Sequence, residues 1–251
     1  MGALFSGRRW RASDQGVRSG MRHLLTLSLA ALGAFALANT RPAVNHVRFS
    51  ADASRVLVLS SGVQDGSGLG TVSLKVFSTA TGALLYSRQQ TADSAPNTLR
   101  WNLLTTPPIP ARLSAYGLTP GAVSAATYMR VDPQPVPQWS GGLGAGQADV
   151  TRVPLWSIPV PIRLEVFALP SACRYGDLLQ AGDVPAGFRL TVNTQVIHHD
   201  ISLPSDRACA ARYSLERLDV RGNRVLVTLR AYGPGFEGPD ATPMFIAATL
   251  H

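Results

Sequence analysis

VRFSADASRVLVLS, residues 47–60, sets the fold class. Val47 and Phe49 alternate with polar neighbours, Ser50–Ser54 breaks the run with small polar residues, and Arg55–Leu59 resumes it at strand length. Alternation of period two marks a β-strand, and a small polar cluster between two such runs marks a turn. Within the break, the Asp52 side chain has the reach to cap backbone N–H groups two residues on, as in an Asx-turn. A glycine-rich loop, residues 62–70, then leads to Val72–Phe77 as a third run, and Thr81-Gly82 turns the chain into a fourth over Ala83–Ser87. Four short strands joined by tight turns predict an antiparallel N-terminal unit over residues 39–93.

Outward from this block the pattern changes. Ser94-Ala95-Pro96 opens a short helix through Leu99, Trp101, Leu103 and Leu104, which Pro107-Pro108 stops. A second short helix is expected over Pro110–Tyr116, ending at Gly117. Residues 131–161 are rich in Pro and Gly and read as a linker or a long irregular loop, with Trp139 and Trp156 pointing to some packing. Residues 94–161 therefore read as a helical and then Pro/Gly-rich connector. Strand-like runs return at Arg163–Phe167, Phe188–Val196, Ser214–Leu218, Arg224–Tyr232 and Met244–Leu250, so 162–251 reads as a C-terminal β domain. With 15% charged residues, 23 Gly and 18 Pro, the expectation is a mostly β protein: a blade-like antiparallel N-terminal sheet, a C-terminal β domain, and short helices between about 94 and 117. Arg55-Val56-Leu57-Val58 recurs as Arg224-Val225-Leu226-Val227, each followed by a glycine-rich loop in which Gly66 matches Gly235.

The first 38 residues point to export. MRHLLTLSLAALGAFALA, residues 21–38, has a basic start, an apolar run and a small-x-small end at Ala36-Leu37-Ala38, the three parts of a secretory signal with cleavage after Ala38. Met21 would serve as an initiator, leaving residues 1–20 as an extended leader or an over-long start. The apolar run, about 14 residues, is short of the roughly 18–20 that span a bilayer; retention as an anchor is the alternative. Arg8-Arg9 is a poor match to a twin-arginine signal. The expected location is secreted or periplasmic, with no transmembrane helix in the mature chain. The formal charge of +8 includes five Arg and one Asp before residue 39, and the remaining bases are scattered singly, which argues against a nucleic-acid surface. Lys75 is the lone lysine. Cys173 and Cys209 read as a disulfide in an oxidising compartment; the alternatives are two free thiols, or a metal pair with His198 and His199, for which no C-x-x-C spacing speaks.

Two resemblances follow from these strings. VRFSADASRVLVLS with TVSLKVFSTATGALL resembles one four-stranded blade of a β-propeller with repeated F-S-x-D-G turns, although Ala53 stands where those blades carry Gly and the turn occurs once. FSADASRVLVL (49–59), GVQDGSG (62–68), DISLPSDRACAARY (200–213) and GFEGPD (235–240) together resemble a bacterial family of predicted secreted proteins of unknown function. After GFEGPD that pattern continues with basic residues, where this chain has Ala241-Thr242-Pro243. The resemblance implies secretion and no particular activity.

Candidate chemistry is sparse. On a strand, His198 and Asp200 share a face while His199 points away, too few ligands for a tight zinc site; an ordinary polar strand end is the plainer reading. Ser205-Asp206-Arg207 after Pro204 reads as a turn, or as an Arg held for an anion. Ser67 lacks the G-x-S-x-G context of a nucleophile elbow. Asp65, Glu237 and Asp240 lie in glycine-rich loops where carboxylates either cap local amides or ligate calcium, which needs six to eight oxygens. These loops, 62–70 and 233–240, are expected on one face as a binding site with Asp65, Ser67, Glu237 and Asp240. No cofactor motif is present. The function expected is a non-enzymatic binding or scaffolding protein of the envelope, with an unknown envelope or extracellular ligand. The alternative is a periplasmic hydrolase, metal-assisted, using His198, Asp200 or His199. Sequencing the exported protein is expected to give Asn39 as its first residue; a cytoplasmic protein with its leader intact would contradict this.

Overall fold

The computed structural model describes residues 39–64, 66–118, 125–132, 136–235 and 237–251. The signal segment with its Ala38 junction, and Asp65, lie outside the described residues. The protein is mostly β. β1 (Ala43–Phe49), β2 (Arg55–Val63), β3 (Gly70–Ser78) and β4 (Leu84–Ala92) form the first antiparallel sheet in the order β1-β2-β3-β4. Two short helices follow, α1 (Pro96–Thr105) and α2 (Ile109–Ala115). β5 (Tyr128–Met129) joins β10 (Arg212–Arg221), β11 (Arg224–Pro234) and β12 (Pro239–Thr249) in a second sheet ordered β12-β11-β10-β5. The third is β6 (Ala148–Pro154), β7 (Pro159–Ala168), β8 (Ala186–Val192) and β9 (Gln195–His199), in chain order.

Phe188–Val196, expected as one strand, is two. Asn193 adopts φ +56°, a value asparagine tolerates better than most residues, and the chain reverses between β8 and β9. The Pro/Gly-rich stretch is likewise not without structure, since β6 lies inside it.

The three sheets and the helices are stacked in layers. Leu57, Leu59, Val72, Leu74 and Val76 of the first sheet meet Leu99, Leu103, Ile109 and Leu113 of the helices. The opposite face of that sheet, through Val47, Phe49, Val56, Val58 and Phe77, meets Leu226 and Ala247 of the second. The second sheet then buries Tyr213, Leu218, Val225, Val227 and Leu229 against Ile162, Leu164, Phe188 and Leu190 of the third. A strand covered on both faces must be apolar at successive positions. This explains the recurring Arg-Val-Leu-Val string: β2 and β11 are inner strands of the two sheets that are covered on both sides. They face one another and begin at the same end, where Arg221 Nη2 donates to the Ala51 carbonyl at 2.9 Å.

The turn between β1 and β2 follows the sequence closely. Asp52 Oδ1 accepts from Ser50 Oγ at 2.6 Å and Ser54 N at 3.1 Å, and the Ser50 hydrogen bond first of all holds the Asp52 carboxyl well below the ordinary range. Ala53, at the position a propeller turn gives to glycine, takes φ +56° while its methyl is buried against Phe49 and Phe77. A left-handed alanine costs roughly 1–2 kcal/mol. Burial of its methyl, about 0.8 kcal/mol, and the greater chain entropy of glycine, about 0.5–1 kcal/mol, offset that. Ala53→Gly is therefore expected to lie within about 1 kcal/mol of wild type by urea denaturation. Ala53→Val, β-branched where φ is positive, is expected to cost about 2 kcal/mol or more.

Candidate functional site

The stacking of the first two sheets is one strand out of step, and a cleft results. β1 runs above β10, with Arg41 near Glu216 and the Pro42 carbonyl accepting from Arg230. β2 lies above β11, and β3 above β12, where the Phe77 and Phe245 rings sit 6.1 Å apart and Lys75 Nζ stands 5.8 Å from the Phe245 centroid. The first sheet continues to β4, whereas the second ends at β12. β4 overhangs. Leu84 pairs with Phe77 and so shares its face, yet it is 52% exposed because no strand among the described residues lies beneath it. Under the overhang is a cleft of about 400 Å³, lined above by Lys75, Phe77 and Leu84, along its floor by Pro243–Phe245, and on its far side by the segment from Pro204 to Ala210.

That far wall is braced from within. Pro204 starts a single 3-10 turn, Ser205–Arg207, and the Cys173–Cys209 disulfide ties its end to the chain 36 residues earlier. Arg207 reaches back to Asp200 with two hydrogen bonds of 2.6 and 2.9 Å, the planar fork-to-carboxylate geometry that makes such pairs strong. The other partners of Asp200 are His198 Nε2 at 3.0 Å and the Phe188 N–H at 3.1 Å. Arg207 also donates to Tyr213 Oη at 3.1 Å, and Tyr213 donates to the Ala186 carbonyl at 2.7 Å. The Arg207 guanidinium lies 5.5 Å from the Phe188 centroid, while His198 stacks on the same ring at 4.7 Å. Glycine is required at 187: a Cβ there would approach Asp200 Cβ to 2.9 Å. Burial alone would raise the Asp200 carboxyl, but the hydrogen bonds from Arg207 and His198 outweigh it and hold the group well below the ordinary range. Burial pushes the Tyr213 phenol up to about 12.

The sequence-derived candidates fall into three places. His198 and Asp200 share a face as strand geometry requires; His199 turns to the other side, edge-on to Phe167 at 5.5 Å. Among the described residues no group of three or more His, Cys, Asp or Glu side chains converges as a metal site would need. Ser67 bonds within its own turn, donating to Gln64 Oε1 at 3.3 Å and accepting from the Leu69 N–H at 3.3 Å. Glu237 is exposed at the β11–β12 tip. Asp240 lines the cleft and accepts from the Thr40 N–H at 2.7 Å. The two glycine-rich loops flank the entry segment 39–42, Gly62 against Pro42 and Gly238 against Asn39.

Sequence reasoning passed over Lys75, Phe77, Leu84 and Phe245. The available signals were a lone lysine two positions before a phenylalanine, hence on the same face, and an apolar Leu84-Leu85 pair opening an otherwise polar strand.

The brace makes a testable demand. Asp200→Asn leaves Arg207 half-buried without its counter-charge, and a cost of about 3 kcal/mol at pH 7 is expected from denaturant unfolding. Because the folded carboxyl titrates below its unfolded value near 3.9, its stabilisation is complete above that value and is lost as pH falls through the folded one. The gap between wild type and Asp200→Asn should therefore narrow as the pH is lowered below about 4.

No curated protein and no solved structure matches the chain, and among the described residues no helix is long and apolar enough to cross a membrane. A family model described as "Predicted secreted protein (DUF2259)" matches residues 58–249. The match runs from β2 through β12 and takes in every residue of the cleft and its brace. It agrees with a secreted or periplasmic location. This chain belongs to the DUF2259 family of predicted secreted proteins.

Proposed function

We propose that this protein is a non-enzymatic binding module of the cell envelope or its exterior, and that its ligand enters the cleft between the β4 overhang and the 204–210 wall. The single observation that carries this reading is the overhang itself: Leu84 and Phe245 present apolar surface to a concave space of about 400 Å³, when burying it would have required only one more strand. Clefts of that size with apolar walls and a few polar groups are the usual form of ligand sites. Lys75 and Asp206 supply opposite charges at its walls. The strongest acid–base grouping nearby, Asp200 with His198, is committed to holding Arg207, a structural duty that suits a rigid wall better than a reacting centre.

The test is an NMR screen of the mature chain with a fragment library. Amide shifts are expected to cluster at Lys75, Leu84, Asp206 and Phe245, and Leu84→Arg is expected to weaken the best fragments at least tenfold. Fragments that gather instead around His198 and His199, accompanied by turnover of ester or glycoside substrates, would overturn the reading in favour of a hydrolase.

A further inference from the structure

The floor of the cleft is the edge of a β-sheet, and the direction of its backbone groups follows from the register. Tyr232 turns its carbonyl toward β10, where the Ala211 N–H donates to it at 2.9 Å. Its partner across the ladder, Ala241, must then turn outward, and its N–H donates to the Thr40 carbonyl at 2.9 Å. The β11–β12 register is unbroken from there, so Pro243, Phe245 and Ala247 turn outward as well. At one end the entry segment covers Ala241. At the other the β3–β4 turn covers Ala247, whose carbonyl lies against Gly82. Pro243 has no N–H to offer, a common way of blunting an edge. What remains open is the Phe245 N–H and carbonyl with the Pro243 carbonyl beside them, and among the described residues none of these has a partner.

We infer, resting on the binding reading above, that the cleft takes a short extended polypeptide by strand addition: a peptide strand pairs with β12 at Phe245 and lies beneath β4. A residue opposite Phe245 in an antiparallel strand exchanges two hydrogen bonds with it. Side chains of the added strand alternate. One set points up toward Phe77, Leu84 and Lys75; the other points toward Pro204 and Asp206. The occupant that fits is apolar on its upper face, with a carboxylate there for Lys75, and carries a base on its lower face for exposed Asp206. Main-chain bonds give affinity in this mode and the alternate pockets give selectivity.

The probe is a phage-displayed library of random octapeptides, panned on the mature chain. Enriched peptides are expected to alternate in the manner described. N-methylation scanned along one of them should cut affinity at least tenfold at the amide paired with Phe245, while its two neighbours, whose N–H groups point away, stay within twofold. Leu84→Arg should weaken the peptides tenfold, and Asp206→Lys should weaken those with a lower-face base; both residues are exposed, so neither change threatens folding. Affinity insensitive to N-methylation at every position, or no peptide that Leu84→Arg weakens, would overturn strand addition. If fragments still map to the cleft in that event, the binding reading stands and only this inference falls. A dimer of the chain abolished by Leu84→Arg, in place of peptide binding, would also overturn it, in favour of a second copy as occupant.

Discussion

Arg230 holds the two stacked sheets in their relative position. It is buried in the middle of β11 with 2% of its surface exposed, on the side that faces the first sheet. Its guanidinium donates to Glu216 Oε1 on β10 at 2.7 Å, to the Ala241 carbonyl on β12 at 3.0 Å, and to the Pro42 carbonyl just before β1 at 2.6 Å. Placing a charge at such depth is costly unless it is paired; Arg230 Nε stands 2.5 Å from Glu216 Oε2 as an ion pair, and the hydrogen-bond acceptors come from β10, β12 and the entry segment just before β1. In this stack β1 lies over β10, β2 over β11 and β3 over β12, and β4 projects beyond the second sheet. The nearby Arg217–Asp219 pair, at 2.8 Å and buried, adds a second charged contact in the same layer. There desolvation raises the Asp219 carboxyl in spite of the arginine.

Much of the architecture could be read from residue pattern. Strands β1 to β3 were legible because each alternates or runs apolar between turns that state their chemistry, Asp52 in one and Thr81-Gly82 in another; β4 was legible at its start from that second turn and Leu84-Leu85, while its polar half to Ala92 was not. The helices were legible from Pro96 and from the Pro107-Pro108 stop. The β8–β9 hairpin was not, because Asn193-Thr194 carries no glycine and the apolar run passes through the reversal without a break. β6 was hidden by composition: prolines at 154 and 159 sit at strand ends, where a missing N–H does little harm, yet in a sequence they read as linker.

The cleft was harder to see, for a physical reason. Its walls come from β3–β4, from 204–210 and from β12, segments joined only by the way the sheets stack, and Arg230, which ties the second sheet to the start of the first, is in sequence one arginine among many. The string DISLPSDRACAARY was visible as distinctive, but its meaning lies in three dimensions. Asp200, Arg207, Cys209 and Tyr213 act together as a brace, and Arg207 touches both the brace and the cleft. GFEGPD contributes differently, through Asp240 and the close approach of Gly238 to Asn39, which fastens the entry segment over one end of the β12 edge.

The central claim is that the open stretch of β12 offers a ligand the N–H and carbonyl of Phe245 with the Pro243 carbonyl beside them, so that among the described residues Phe245 carries the one unpartnered N–H of that stretch. Residue-resolved hydrogen exchange of the mature chain tests it most directly. In the free protein the Phe245 amide should exchange at least tenfold faster than those of Met244 and Ile246, whose N–H groups point into the β11 ladder, and a bound peptide should slow Phe245 to their level. A Phe245 amide as protected as its neighbours in the free chain would contradict the account.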